Sequence, residues 1–63
     1  MYVNNEQFII VQDTNTANHM IASGFHLVSL MNGTYTFMNM VPKYFNFDNI
    51  DVKKLVYTNM LVF

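Results

Sequence analysis

The chain has 63 residues, of which 52% are hydrophobic, 16% aromatic and only 11% charged, with a formal net charge of -1. Such a composition excludes an intrinsically disordered chain, and the length predicts a single domain over residues 1–63. No cysteine is present, so disulfides and thiolate metal sites are excluded, and we expect no metal or cofactor. A domain this small is marginally stable alone, which favours association with a second chain.

The charged residues and the hydropathy pattern indicate which partners to expect. Three lysines and no arginine make nucleic acid an unfavoured main partner, because neutralising phosphates takes several cations. No continuous apolar stretch approaches the roughly 20 residues that span a bilayer, so no membrane partner is expected. The polar residues Asn4, Asn5 and Glu6 do not resemble a signal peptide. We therefore expect a cytoplasmic protein.

The first half of the chain predicts a strand followed by a short helix. Phe8–Val11 is apolar on both faces, which is typical of a strand at the centre of a sheet. Asp13 or Thr14 can then cap a helix from about residue 14 to 23, with its apolar residues at helical spacing. Gly24 stands where such a helix needs a left-handed residue to end, and Met20 and Phe25 form the apolar pair of that ending.

Two strand-like runs, 25–31 and 34–40, surround Asn32-Gly33, which is a strong local hairpin signal. A two-residue turn pairs Leu30 with Tyr35 and Val28 with Phe37. A three-residue turn with a bulge at Gly33 instead pairs Leu27 with Phe37 and Ser29 with Tyr35. A slip of one residue exchanges the two faces. We favour the second register because it places the largest rings on one face.

The C-terminal third is less regular in pattern. Pro42 ends the hairpin, and Tyr44, Phe45 and Phe47 form an aromatic loop. Asp48 or Asn49 could cap a second helix over 49–57, in which Asp51 would face Lys54; a strand through 55–57 is the alternative. Residues 60–63 look like a terminal strand. The pattern predicts an α+β fold, with an antiparallel sheet in the order β-α-β-β-(α)-β and one or two helices on one face.

Several of these residues carry a resemblance to a known family. The residues are Phe8–Asp13, Ala17, Met20-Ile21, Gly24-Phe25, Leu27 and Tyr35-Thr36-Phe37. In this order they resemble a family of small domains of unknown function from phages and prophages of Gram-positive bacteria. The resemblance covers roughly the first forty residues and consists of core and turn positions. It implies a βαββ-type fold and an origin in a mobile element, and it transfers no functional residue.

No pattern of an active site accompanies these elements. Asp48 and Asp51 are the one close pair of carboxylates, and a helix N-terminus already explains them. His19 and His26 are predicted to be a solvated helix residue and a half-exposed strand residue. No nucleophile motif and no glycine-rich phosphate loop is present. We therefore expect a protein that is not an enzyme.

The apolar excess instead points to a binding surface. Methionine is frequent on adaptable binding surfaces, and both faces of the hairpin carry apolar groups that one short helix cannot cover. The candidate interaction residues are Met31, Met38, Met40, Tyr44, Phe45 and Phe47. We expect a non-enzymatic interaction module that forms a homodimer and, given the resemblance, could bind a host protein. The alternative is an accessory protein for single-stranded nucleic acid that stacks bases on Tyr35 and Phe37.

Overall fold

A computed structural model describes residues 6–59 of the chain. It has the predicted α+β fold, with one α-helix, two short 3₁₀ turns and four strands in the order β-α-β-β-β. The strands are β1 (Phe8–Val11), β2 (Leu27–Met31), β3 (Thr34–Met38) and β4 (Leu55–Thr58), and the helix is α1 (Thr14–Ala22). The predicted terminal strand over 60–63 lies outside the described residues.

The four strands form one antiparallel sheet with the spatial order β2-β3-β1-β4. As predicted from its apolar sequence, β1 is central: Ile9 lies opposite Phe37 of β3 on one side and Tyr57 of β4 on the other. Residues directly opposite each other share a face of the sheet. The register of β1 therefore fixes which side chains of β3 and β4 lie together.

Helix α1 begins and ends as the sequence predicts. Asp13 is the N-cap, and its Oδ2 accepts hydrogen bonds from Thr16 N at 2.9 Å and from the Thr16 hydroxyl at 2.6 Å. At the other end, Phe25 N donates to Met20 O at 3.1 Å and Gly24 N to Ile21 O at 3.1 Å, which is the Schellman pattern. Gly24 has a φ of 104°, a conformation that only glycine adopts without strain.

The hairpin combines parts of both predicted registers. Asn32 and Gly33 have φ values of 52° and 78°, which makes a two-residue turn that pairs Leu30 with Tyr35. The predicted three-residue turn is therefore wrong. A bulge between Leu27 and Ser29 then shifts the register by one residue, so that Leu27 lies opposite Phe37 as the favoured register proposed.

The segment before β4 contains two 3₁₀ turns, Phe47–Asn49 and Val52–Lys54, in place of a second α-helix. Asn46 caps the first turn by accepting from Asp48 N, and Asp51 caps the second by accepting from Lys53 N. Each turn is followed by an extended residue, so neither propagates into a helix. The strand alternative at 55–57 is the one observed.

The core lies between the sheet and α1. Its buried hydrophobic residues are Ile9, Val11, Ala17, Met20, Phe25, Tyr35, Phe37 and Leu55. Phe45, Phe47 and Ile50 of the loop before β4 pack against the margin of this cluster. The helix and the loop thus cover the same side of the sheet.

Candidate interaction surface

The sheet has two faces of different character. The inner face, packed against α1, carries Ile9 and Val11 of β1 with Tyr35 and Phe37 of β3. The opposite face is called the outer face here, and the register assigns the alternate residues to it. These are Phe8 and Ile10 of β1, Ser29 and Met31 of β2, Thr34, Thr36 and Met38 of β3, and Val56 and Thr58 of β4. Among the described residues, helix α1 and the loop before β4 both pack on the inner face.

The outer face carries both apolar and hydroxyl side chains, and its exposed apolar groups lie on the two edge strands. Val56 on β4 is 58% exposed and Met31 on β2 is 45% exposed. Phe8, Ile10 and Met38 are half-buried along the central strands. Val56, Ile10 and the neighbouring Lys54 line a shallow groove of about 350 Å³ on this face. Exposed apolar groups on a sheet face that the described helix and loop do not cover favour an interaction site.

A second exposed group lies on the loop that follows β3. Phe45 N donates to Pro42 O at 3.0 Å, which closes a turn over residues 42–45 that we call the anchored turn. Tyr44 at its tip is 89% exposed, and Lys43 Nζ lies 5.6 Å from the centre of the Tyr44 ring. Nearby, Met40 and Val41 are 68% and 45% exposed. Together these residues present apolar and cationic groups at one end of the sheet.

The six predicted interaction residues do not form one surface. Met31 and Met38 lie on the outer face, and Met40 and Tyr44 are exposed beyond the end of β3. Phe45 and Phe47, by contrast, are half-buried. Phe45 contacts the rings of Phe25 and Phe47 edge-on, with centroids 4.8 and 4.9 Å apart, so these two loop aromatics mainly extend the core.

Sequence reasoning missed Ile10 and Val56 as surface residues. Ile10 belongs to an apolar run in which every residue seemed equally buried, and the signal for the strand containing Val56 competed with a helix. The β1–β4 register places the two side chains opposite each other on the outer face. The alternation of buried Leu55 with exposed Val56 could have indicated this, had the strand been preferred over the helix.

The two aspartates considered for catalysis belong to different 3₁₀ turns. Asp51 caps a short turn, and Asp48 is exposed in the other turn. His26, predicted to be a half-exposed strand residue, is exposed and directly precedes β2. Within residues 6–59, no cluster of three or more histidine, aspartate or glutamate side chains could hold a metal ion.

The carboxyl group of Asp13 has a lowered pKa. The hydrogen bonds from the Thr16 hydroxyl and backbone N–H hold the pKa of Asp13 below its usual value of 3.8, and Lys54 lowers it further. Lys54 Nζ lies 3.4 Å from Asp13 Oδ1. This contact links the start of α1 to the start of β4, at the margin of the groove that Val56 lines.

The depressed pKa predicts how stability changes with pH. Because Asp13 binds a proton less readily in the folded chain, its contribution is complete above pH 3.8 and is lost as the pH falls through its lower folded value. Urea midpoints measured from pH 6 to pH 2 should therefore fall at the acid end. The variant Asp13→Asn keeps a capping side chain but cannot ionise, so its urea midpoint should decrease less at the acid end. The control is Asp48→Asn, which should show the same decrease as wild type. An identical fall in wild type and Asp13→Asn would contradict this assignment.

Comparisons of the chain with protein-family models, with curated proteins and with solved structures found no match. The resemblance to phage and prophage domains therefore stays a prediction. Among the described residues, no helix is long and apolar enough to cross a bilayer.

Proposed function

We propose that the protein is a non-enzymatic interaction module that self-associates through the outer face of its sheet. One observation carries the proposal: the outer face exposes the apolar side chains of Val56 and Met31, while the described helix and loop both pack on the inner face. A second copy would bury Ile10, Met38 and Val56 in an interface. Burial of such groups yields about 25 cal/mol per Å² of apolar surface.

The size of this face limits the affinity to be expected. Four short strands spaced about 4.8 Å apart, each rising about 3.3 Å per residue, give a flat footprint of roughly 300 Å². A standard interface covers about 800 Å² per partner. The second copy would therefore also contact the exposed residues at the margin, such as Met31 and Met40. We expect a dimer that dissociates in the micromolar range.

The alternative function, binding of single-stranded nucleic acid, requires exposed rings on the hairpin, and the described residues do not provide them. Tyr35 is 9% exposed and Phe37 is fully buried on the inner face, so neither ring is presented as a stacking platform. The cations are also dispersed, since Lys54 contacts Asp13 and Lys43 lies on the anchored turn. This supports the interaction module over the alternative.

Sedimentation velocity across a dilution series from about 500 μM to about 1 μM tests the proposal, because an interface of less than standard area is expected to dissociate within this range. We expect the weight-average mass to rise from monomer toward dimer with concentration. A single monomeric species throughout the series would contradict self-association. Binding to single-stranded DNA that weakens steeply with salt would favour the alternative.

A further inference from the structure

We infer that His26, Met38 and Met40 form a binding site for a soft monovalent metal ion such as Cu(I). The three residues line one open pocket of about 510 Å³ beside the end of α1. The inference goes beyond the proposed function and does not depend on self-association. The expectation that no metal binds came from the absence of cysteine thiolates, and it did not weigh methionine thioethers as ligands.

The sheet register brings His26 and Met38 together. Met38 N donates to His26 O at 2.9 Å. The next residues along the two chains, Leu27 and Phe37, lie opposite each other in the β2–β3 pair. His26 and Met38 are therefore directly opposite as well, and side chains in such a pair lie on the same face of the sheet, here the outer face.

Met40 joins this pair because the chain after β3 stays extended. Asn39 N donates to Gln7 O at 2.9 Å, which prolongs the β1–β3 ladder by one residue beyond Met38. Side chains alternate along an extended chain, so Met40 lies on the same side as Met38 and lines the same pocket. Met40 is 68% exposed, which allows its thioether to reorient toward an ion.

The three donor atoms can reach one ion. Opposite side chains in a sheet have Cβ atoms about 5 Å apart, and residues two apart along a strand are separated by about 6.6 Å. Metal bonds to imidazole nitrogen and to sulfur are about 2.0–2.3 Å long. The unbranched methionine side chain, with its three rotatable bonds, spans the remaining distance from either position. An ion can thus lie between the three side chains without a change in the backbone.

The chemistry of the lining selects the ion. Thioether sulfur is a soft ligand that favours Cu(I), whereas Mg²⁺ and Ca²⁺ take oxygen ligands. Among the described residues, no carboxylate lines the pocket, and the other lining residues are Gly24 and Val41. Two thioethers and one imidazole therefore suit Cu(I) or Ag(I). They suit Zn²⁺ poorly, because zinc is held by thiolates, imidazoles and carboxylates.

The first test locates the ion by NMR on the full chain with ¹³C-labelled methionine methyl groups. Ag(I), which has the same charge as Cu(I) and is stable in air, is titrated as silver nitrate in chloride-free buffer. We expect the methyl signals of Met38 and Met40 to shift and to saturate at one equivalent, while that of buried Met20 stays in place. Zn²⁺ should leave these methyl signals unchanged.

Substitutions then test each donor. Affinity for Cu(I) is measured by anaerobic competition with bicinchoninate at about 1 μM protein, where the proposed dimer is largely dissociated. His26→Gln, Met38→Leu and Met40→Leu should each weaken binding at least about tenfold, because even residues behind the ligands change metal affinity by that factor. His19→Gln is the matched control and should leave the affinity unchanged, since it removes an exposed histidine outside the pocket.

Ag(I) shifts spread equally over Met20 and Met31, or an affinity for Cu(I) that His26→Gln leaves unchanged, would overturn the inference. Sedimentation of the metal-free wild type separates it from the proposed function. Wild type that self-associates but does not bind Ag(I) overturns the metal site alone. A monomer that binds Ag(I) through His26, Met38 and Met40 overturns self-association alone.

Discussion

Replacing Phe37 by alanine is expected to leave much of the protein unfolded at 25 °C. Phe37 is fully buried and is the largest such side chain in the described residues. It lies opposite Ile9 and Leu27 in the sheet, and the centre of its ring lies 6.1 Å from the centre of the Phe25 ring. Removing a buried phenylalanine side chain costs about 3–5 kcal/mol. A chain of this length has a free energy of unfolding of roughly 3–9 kcal/mol, so the loss is comparable to the whole.

Circular dichroism and urea unfolding of Phe37→Ala measure this loss. Tyr44→Ala is the matched control, because it also removes an aromatic ring but from a side chain that is 89% exposed. The control should change the free energy of unfolding by less than about 0.5 kcal/mol. A cooperative Phe37→Ala protein that loses no more than its control would show that the core is not built around β3 as described.

Replacing Val56 by lysine is expected to convert the proposed dimer into a monomer. Val56 lies on the outer face opposite Ile10 and is 58% exposed, so a lysine there is solvated in the monomer. In the dimer interface the introduced ammonium group would lose its hydration without gaining a charged or hydrogen-bonding partner. That penalty is about 3 kcal/mol, which raises the dissociation constant of the dimer roughly a hundredfold.

Val52→Lys is the matched control for this substitution. Val52 is 53% exposed and precedes β4 in a 3₁₀ turn, outside the sheet. Both variants should unfold within about 1 kcal/mol of wild type, because each replaces an exposed valine. Sedimentation should then show a monomer for Val56→Lys and an unchanged dimer for Val52→Lys. If both variants associate like wild type, the outer face near β4 is not the interface.

The helix was predictable because its boundaries depend on local chemistry. Asp13 caps its start, and Gly24 takes the left-handed conformation that ends it. These features need no knowledge of the rest of the chain, so the sequence pattern was sufficient. The contact between Asp13 and Lys54, in contrast, joins residues far apart in the chain and had no local signal.

The hairpin was only partly predictable because its register changes along its length. The Asn32-Gly33 turn fixes the pairs next to it, and the requirement to bury Phe37 beside Leu27 fixes the pairs at the other end. The bulge reconciles the two. A sequence pattern assigns a single register to the whole hairpin. It therefore did not predict a hairpin whose two ends follow different registers.

The candidate surface was harder to predict than the fold. Tyr44, Phe45 and Phe47 look equivalent in sequence, yet the turn displays the tyrosine and directs the phenylalanines toward Phe25 and the core. Likewise, the apolar run of β1 does not show which of its residues face α1. Only the three-dimensional register separates buried Ile9 from half-buried Ile10.

The most direct test of the outer-face interface is a methyl and amide NMR dilution series on the full chain. We predict concentration-dependent shifts at Ile10, Met38 and Val56, with little change at buried core residues such as Val11 and Ala17. Spectra that do not change with concentration, or changes that cluster on α1 and spare the outer face, would contradict the proposed interface.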